Sequence, residues 1–194
     1  IKYKIMPDRI EAGTYIIASA ITNSSLTLNN LLINHIKNII NVLKKIGLKF
    51  KILSATSIKI LPNKLKPIKV GTFPYPGFPT DMQAQLMTLL TLTKGNSEIK
   101  EDIFENRFMH VLELQRMGAK IKIKNNKAKI TGIDKLSGAQ VMATDLRASV
   151  CLVLAGLVAK GETVINRVYH LERGYEDLVR KLKKCGAKIK IINA

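Results

Sequence analysis

Three near-copies of one short segment constrain this chain more than any other feature. Gly47-Leu48-Lys49-Phe50-Lys51-Ile52, Gly118-Ala119-Lys120-Ile121-Lys122-Ile123 and Gly186-Ala187-Lys188-Ile189-Lys190-Ile191 each follow an amphipathic helical pattern. In each copy the glycine stands where a helix C-cap needs a left-handed residue, and the alternation after it has the period of a strand. The copies begin 71 and then 68 residues apart. That is longer than a solenoid period, so they mark three supersecondary units of one domain, about residues 1–63, 64–134 and 135–194. Helices and strands alternate in each unit on a βαβαββ-type plan, which makes the fold class α/β.

In the first unit a helical pattern opens at Asp8 and runs to about Ala20. A short strand near residues 26–28 follows. A second helix then puts Ile36, Ile39, Ile40, Leu43 and Ile46 on one face. Strands are expected near 48–53 and 57–61, and Pro62 and Pro67 bracket a linker. The second unit has a strand at 68–70, a helix from Asp81 to about Thr93 with Leu86, Leu89 and Leu90 inward, and a strand near 97–103. Its second helix ends at Gly118, and a hairpin turns at Asn125-Asn126. The third unit repeats the plan with a strand at 139–143, a helix to Ala159, a strand at 162–166 and a last helix ending at Gly186.

Polar residues recur where these strands meet helices. Pro76-Gly77-Phe78-Pro79 runs into Thr80, a good N-cap, with Gln83 at the reciprocal capping-box position. Asp81 then falls on the first helical turn, where free N–H groups favour an anion. It either stabilises the helix start or is a carboxylate held at a loop–helix junction and aimed at a substrate. Thr144 and Asp145 repeat the arrangement, with Thr144 as the second N-cap. Equivalent junctions gather at one end of a domain, so Asp81, Arg107, Asp145, Arg147 and Arg173 are expected along one rim.

The formal charge is +18, carried by 32 basic residues of which only seven are Arg. Lysines are scattered along helix and strand faces, aromatics make up 5%, and there is no Trp. Nucleic-acid readers favour Arg forks and stacking aromatics, so the composition argues against nucleic acid as the main partner. A basic cleft still attracts an anionic substrate. No apolar run reaches the ~18–20 residues of a membrane span, so no membrane partner is expected. The chain does not begin with Met, and no secretory pattern is present at its start.

Cys151 and Cys185 each lie in an apolar helical pattern and are expected as reduced core thiols, which fits a cytoplasmic protein. His35, His110 and His170 are not clustered, and no metal-ligand spacing occurs, so neither metal nor cofactor is expected. His110 and His170 are expected to be structural.

Several longer blocks go further. They are Phe78-Pro79-Thr80-Asp81-Met82-Gln83-Ala84-Gln85, Glu105-Asn106-Arg107-Phe108-Met109-His110, the run from Leu136-Ser137-Gly138-Ala139-Gln140 through Thr144-Asp145-Leu146-Arg147-Ala148, and Glu172-Arg173-Gly174-Tyr175-Glu176. Together, and in this order and spacing, they resemble the enolpyruvyl transferases that act on UDP-N-acetylglucosamine. Pro7-Asp8-Arg9-Ile10-Glu11-Ala12-Gly13-Thr14 is similar to that family's segment at the same point. The resemblance covers essentially the whole chain but only the C-terminal half of the family protein. It implies one domain of an inside-out α/β barrel of the enolpyruvyl transferase and EPSP synthase type, with helices inside and sheets outside.

The resemblance also implies a reaction. The enolpyruvyl group of phosphoenolpyruvate moves to the 3-hydroxyl of UDP-N-acetylglucosamine and phosphate leaves, the first committed step of peptidoglycan synthesis. Asp81 would hydrogen-bond that hydroxyl and help remove its proton. Ile103 matches a position whose backbone contacts the nucleotide sugar. Arg147 and Arg173 match arginines that hold phosphoenolpyruvate, a carboxylate and a phosphate suited to guanidinium forks. Arg107 matches a third arginine at the same site. Asp145 would orient Arg147 or help in proton transfer. Arg116, on a solvated helix face, serves as the contrast.

The family site lies between two domains. The absent N-terminal domain, in cis or in trans, supplies a Lys-Asn pair and a mobile loop, usually carrying an acid Cys that neither Cys151 nor Cys185 matches. Negligible turnover is therefore expected of this chain alone. Asn23-Ser24-Ser25 and Leu112 also depart from the family pattern. The competing readings are half of the sister transferase acting on shikimate 3-phosphate, and a non-enzymatic basic remnant that binds nucleic acid.

Overall fold

The structure, a computed structural model, describes residues 1–192. Three helices form its centre: α1 (Arg9–Ile21), α3 (Gln83–Thr91) and α5 (Leu146–Gly156), which pack against one another. Each is apolar or small on nearly every side, and helices of that kind are stable only when surrounded. All nine residues of α3 are buried, more than the single inward face expected. Its hydroxyls turn back onto the helix: Thr88 donates to the Ala84 carbonyl and Thr91 to that of Thr88. The helix expected to open at Asp8 begins at Arg9, with Asp8 as its cap: Asp8 Oδ1 accepts from the Ile10 N–H at 2.7 Å.

Sheets and the remaining helices wrap this centre. One sheet joins β1 (Leu26–Leu28), β2 (Lys49–Ser54) and β3 (Ser57–Leu61) in the order β1-β3-β2, all antiparallel. A second joins β4 (Lys69–Gly71), β5 (Asn96–Lys100), β6 (Lys120–Lys124) and β7 (Lys127–Thr131) in the order β4-β5-β7-β6. There β4 and β5 run parallel and the other pairs antiparallel. The third is a parallel pair, β8 (Gln140–Met142) and β9 (Val164–Asn166). The inner faces bury Ile58, Ile60, Ile99, Ile121, Ala128 and Ile130, while Lys49, Lys51, Lys120, Lys122, Lys124, Lys127 and Lys129 face outward. Much of the positive charge is thus the solvated side of period-two strands.

The outer helix α2 (Lys37–Ile46) buries Ile39, Ile40, Leu43 and Ile46, the stripe expected of it. With α4 (His110–Arg116), the short α6 (Tyr169–Glu172) and α7 (Leu178–Lys184) it completes the α/β fold. No helix among the described residues is long and apolar enough to cross a membrane. Gly138, just before β8, lies close against the backbone of Glu162. A Cβ there would sit 2.2 Å from the Glu162 carbonyl oxygen, so no other residue fits without moving backbone.

Two expectations are corrected. Gly47, Gly118 and Gly186 end α2, α4 and α7 with φ of +105°, +92° and +93°, and the first two copies continue into β2 and β6. The third does not: residues 187–192 form no strand, and Ile191 and Ile192 are exposed. The first two pair with following strands across hairpins, whereas in the third the Gly186 and Ala187 N–H groups turn back to the Lys183 and Leu182 carbonyls of α7, and among the described residues no strand lies beside 188–192. Cys151 is a buried thiol, but Cys185 is exposed, because it falls at the C-cap of the short α7 and not on its inner face.

Candidate active site

The starts of the central helices carry the polar residues. Thr80–Met82 is a single 3₁₀ turn leading into α3. The expected Thr80 cap and Gln83 box are absent. The Thr80 hydroxyl donates to Glu101 Oε2 at 2.8 Å and accepts from Arg107 Nη1 at 3.0 Å. A carboxylate and a guanidinium are stronger partners than a helix N–H, and both lie within reach. At α5 the cap falls one residue later than expected: Asp145 Oδ1, not Thr144, accepts from the Arg147 N–H at 2.7 Å.

Asp81 is gripped from two sides. Arg107 Nη2 donates to its Oδ1 at 2.7 Å, and Arg147 Nη2 to its Oδ2 at 3.3 Å. Burial alone would push the Asp81 carboxyl up. The Arg107 hydrogen bond and the Arg147 and Arg107 charges outweigh it and hold the group below the usual carboxylate value. Arg107 reaches back because Asn106 takes φ +55°, a left-handed turn that Asn tolerates, and its guanidinium stacks 4.9 Å from the Phe104 ring. Arg147 is anchored behind by Tyr175: Nη1 donates to Oη at 3.4 Å, and the guanidinium lies 5.7 Å from the ring centre. Tyr175 Oη in turn meets Thr14 Oγ1 at 3.0 Å and Gln85 Nε2 at 3.4 Å in the interior. Burial raises the Tyr175 phenol despite the Thr14 and Arg147 contacts, so it stays a donor at neutral pH.

Asp81, Arg107, Asp145, Arg147 and Arg173 all line one cavity of about 470 Å³, with Thr144 and His170 beside them. This is the shared rim expected of the repeated junctions. Arg173 is exposed and makes no ion pair among the described residues. Three guanidinium groups against two carboxylates leave the cavity positive, the polarity that draws in an anion. Ile103 is half-buried, past the end of β5, and does not line the cavity; its N–H donates to Glu101 Oε1 at 3.0 Å. His170 is at the cavity, where the sequence suggested only a structural role.

His110 is buried, and its neighbourhood makes a pH prediction. It is 2% exposed at the start of α4. Burial pushes its imidazole down to about 4 from the usual 6.5, against Asp145 and together with Arg107. The folded state therefore holds it neutral while the unfolded chain takes up a proton. Stability is expected to fall by about 3 kcal/mol between pH 6.5 and 4 from this group. Denaturant unfolding across that range should show a slope that His110→Gln removes; an equal slope in both proteins would contradict the assignment.

Glu101 escaped the sequence reading, although a signal for it exists. Strand alternation puts Ser97, Ile99 and Glu101 on one face, and all three are buried. A carboxylate on the inward register of a strand needs several donors, which makes it a structural or functional centre.

A profile of the family EPSP synthase (3-phosphoshikimate 1-carboxyvinyltransferase) matches residues 1–182. The UDP-N-acetylglucosamine 1-carboxyvinyltransferase of Pelagibacter ubique is 57% identical over 98% of this chain and 46% of its own length. The protein of that name from Thermodesulfovibrio yellowstonii is 52% identical with the same coverage. The chain thus spans about half the length of the curated relatives it matches. Among solved structures, the enolpyruvyl transferase NikO from Streptomyces tendae superposes with a TM-score of 0.89 at 28% identity, over 97% of this chain and 45% of that one. EPSP synthase from Acinetobacter baumannii superposes at 0.67 and 20% identity, over 91% of this chain and 44% of that one, a likeness of fold alone.

Proposed function

The chain belongs to the EPSP synthase (3-phosphoshikimate 1-carboxyvinyltransferase) family, and on that premise we propose that it is the C-terminal half of a UDP-N-acetylglucosamine enolpyruvyl transferase. The observation that carries this reading is Asp81, held between Arg107 and Arg147 at a cavity that also takes Arg173 and Asp145. The names of relatives at 50% identity and above support the nucleotide sugar over shikimate 3-phosphate.

In this reading Arg147 and Arg173, with Arg107 as the third arginine of the site, bind the carboxylate and phosphate of phosphoenolpyruvate, and the Ile103 backbone meets the nucleotide sugar. Asp81 accepts the proton of the sugar 3-hydroxyl as its oxygen bonds to the enolpyruvyl carbon. In the same addition the C2=C3 bond opens and C3 takes a proton from the general acid of the N-terminal half; loss of a proton from C3 then re-forms the double bond as phosphate leaves with its bridging oxygen. Two guanidinium partners make Asp81 a weak base, and an anion on Arg147 loosens one of them. Substrate binding therefore raises the basicity of Asp81 where it is needed. A general acid and a substrate lysine come from an N-terminal half, so this chain alone turns over negligibly. The site serves peptidoglycan synthesis in the cytoplasm, where two unpaired thiols are at home.

The acceptor is tested with the chain joined to an enolpyruvyl transferase N-terminal half. UDP-N-acetylglucosamine should support phosphate release from phosphoenolpyruvate and shikimate 3-phosphate should not. Release with shikimate 3-phosphate alone would favour the sister reaction.

A further inference from the structure

The carboxylate of Glu101, 3% exposed, gathers four donors at the end of β5. Its Oε1 accepts from Thr72 Oγ1 at 2.8 Å, the Ile103 N–H at 3.0 Å and the Phe104 N–H at 3.2 Å. Its Oε2 accepts from Thr80 Oγ1 at 2.8 Å. The hydroxyl directions are forced. Thr72 Oγ1 already accepts from the Asp102 N–H, and Thr80 Oγ1 from Arg107 Nη1, so each proton points at Glu101. The Glu101 N–H is itself tied to the Asn126 carbonyl in the β6–β7 turn at 2.8 Å.

One side chain thus holds one wall of the cavity and the loop that follows β5 at once. Through Thr80 it sets the Arg107 fork, which grips Asp81 at 2.7 Å. Through two N–H bonds it fixes the loop at residues 103–104, so the Ile103 carbonyl keeps one direction. We propose that Glu101 is the positioning residue for nucleotide-sugar binding, acting through Thr80 and Arg107 on Asp81 and through the loop on Ile103. The proposal rests on the cavity being the transfer site.

The test uses the chain joined to an N-terminal half, in Glu101→Gln, Thr80→Val, Thr80→Ser and the Gln/Val double variant. Gln keeps the shape but turns one acceptor oxygen into a donor, which faces either the Thr80 proton or the two loop N–H groups. Val deletes the Thr80 link and leaves Glu101 in place. Each is expected to raise KM for UDP-N-acetylglucosamine about tenfold with kcat changed far less, the scale of one lost charge-assisted bond. The double variant should be no worse than the poorer single, because the two lie on one path. Thr80→Ser should keep KM within about twofold, since it keeps the hydroxyl. Losses that multiply, a Ser variant as poor as Val, or variants that lose thermal stability with KM unchanged would overturn the proposal. Rotation of the Arg107 guanidinium, followed by nitrogen NMR, decides the matter without turnover. It should speed up in Glu101→Gln and Thr80→Val, and unchanged rotation would overturn the positioning role. A parent assembly that transfers nothing, with rotation still responding, would sink the functional reading alone.

Discussion

Asp81→Asn, in the chain joined to an N-terminal half, is expected to lower kcat about a thousandfold, the scale of a lost general base. The amide still accepts one hydrogen bond, so KM for either substrate should change much less. Asp81→Glu keeps the charge but moves it by one methylene, and it should recover only part of the rate. Stability should change little at neutral pH, because the Asp81 side chain is 38% exposed and its pairs are partly screened. The acid limb is where a change should show. The folded carboxyl sits below its usual value of 3.8, so its stabilisation is present above that pH and is lost as pH falls through the lower folded value. Acid unfolding of Asp81→Asn below about pH 4 should lack that component. A variant with wild-type kcat would remove Asp81 from the chemistry.

Arg147→Ala is expected to cost as much in kcat/KM, chiefly through KM for phosphoenolpyruvate. Two charge-assisted bonds to an anion at about 1.5–3 kcal/mol each correspond to a loss of a hundredfold or more. Arg147→Lys should restore little, since an ammonium offers a point charge where the site needs a planar fork against Asp81, Tyr175 and the substrate. Arg116→Ala is the control. Arg116 is 65% exposed and makes only a loose pair with Glu113 at 3.8 Å, so its loss should leave kcat/KM within about twofold. Steady-state kinetics of the three variants check this, and comparable losses at Arg116 and Arg147 would contradict the assignment.

Much of the framework was legible because it rests on periodicity. The stripe of α2, the alternation of β2, β3, β6 and β7, the opening of α1 near Asp8 and the C-cap glycines are local consequences of residue type. The inner position of α1, α3 and α5 was not available from local pattern. Threonines and glutamines break their apolar periodicity, and the hydrogen bonds of Thr14, Thr88, Thr91 and Gln85 show how four of them are buried. The third Gly-Ala-Lys-Ile copy shows the converse: strand propensity forms no strand without a partner.

The site was legible as a set of junction residues but not as a network. Asp81, Arg107, Asp145, Arg147 and Arg173 lie as many as 92 residues apart in sequence, and the fold brings them to one cavity. What joins them is tertiary. Thr80 leaves its helix for Glu101 and Arg107, and Tyr175 ties Arg147 to Thr14 and Gln85. Sequence reasoning assigned Thr80 to a cap because a cap needs only neighbours, whereas its true partners lie 21 and 27 residues away.

The central claim is that this chain carries half of a site that an N-terminal half completes. The most direct test measures phosphate release from phosphoenolpyruvate with UDP-N-acetylglucosamine, for the chain alone and for the chain supplied with that half. Release should be absent from the chain alone, appear with the added half, and vanish again with Asp81→Asn. Full turnover by the chain alone, or none with a competent N-terminal half in place, would contradict the account.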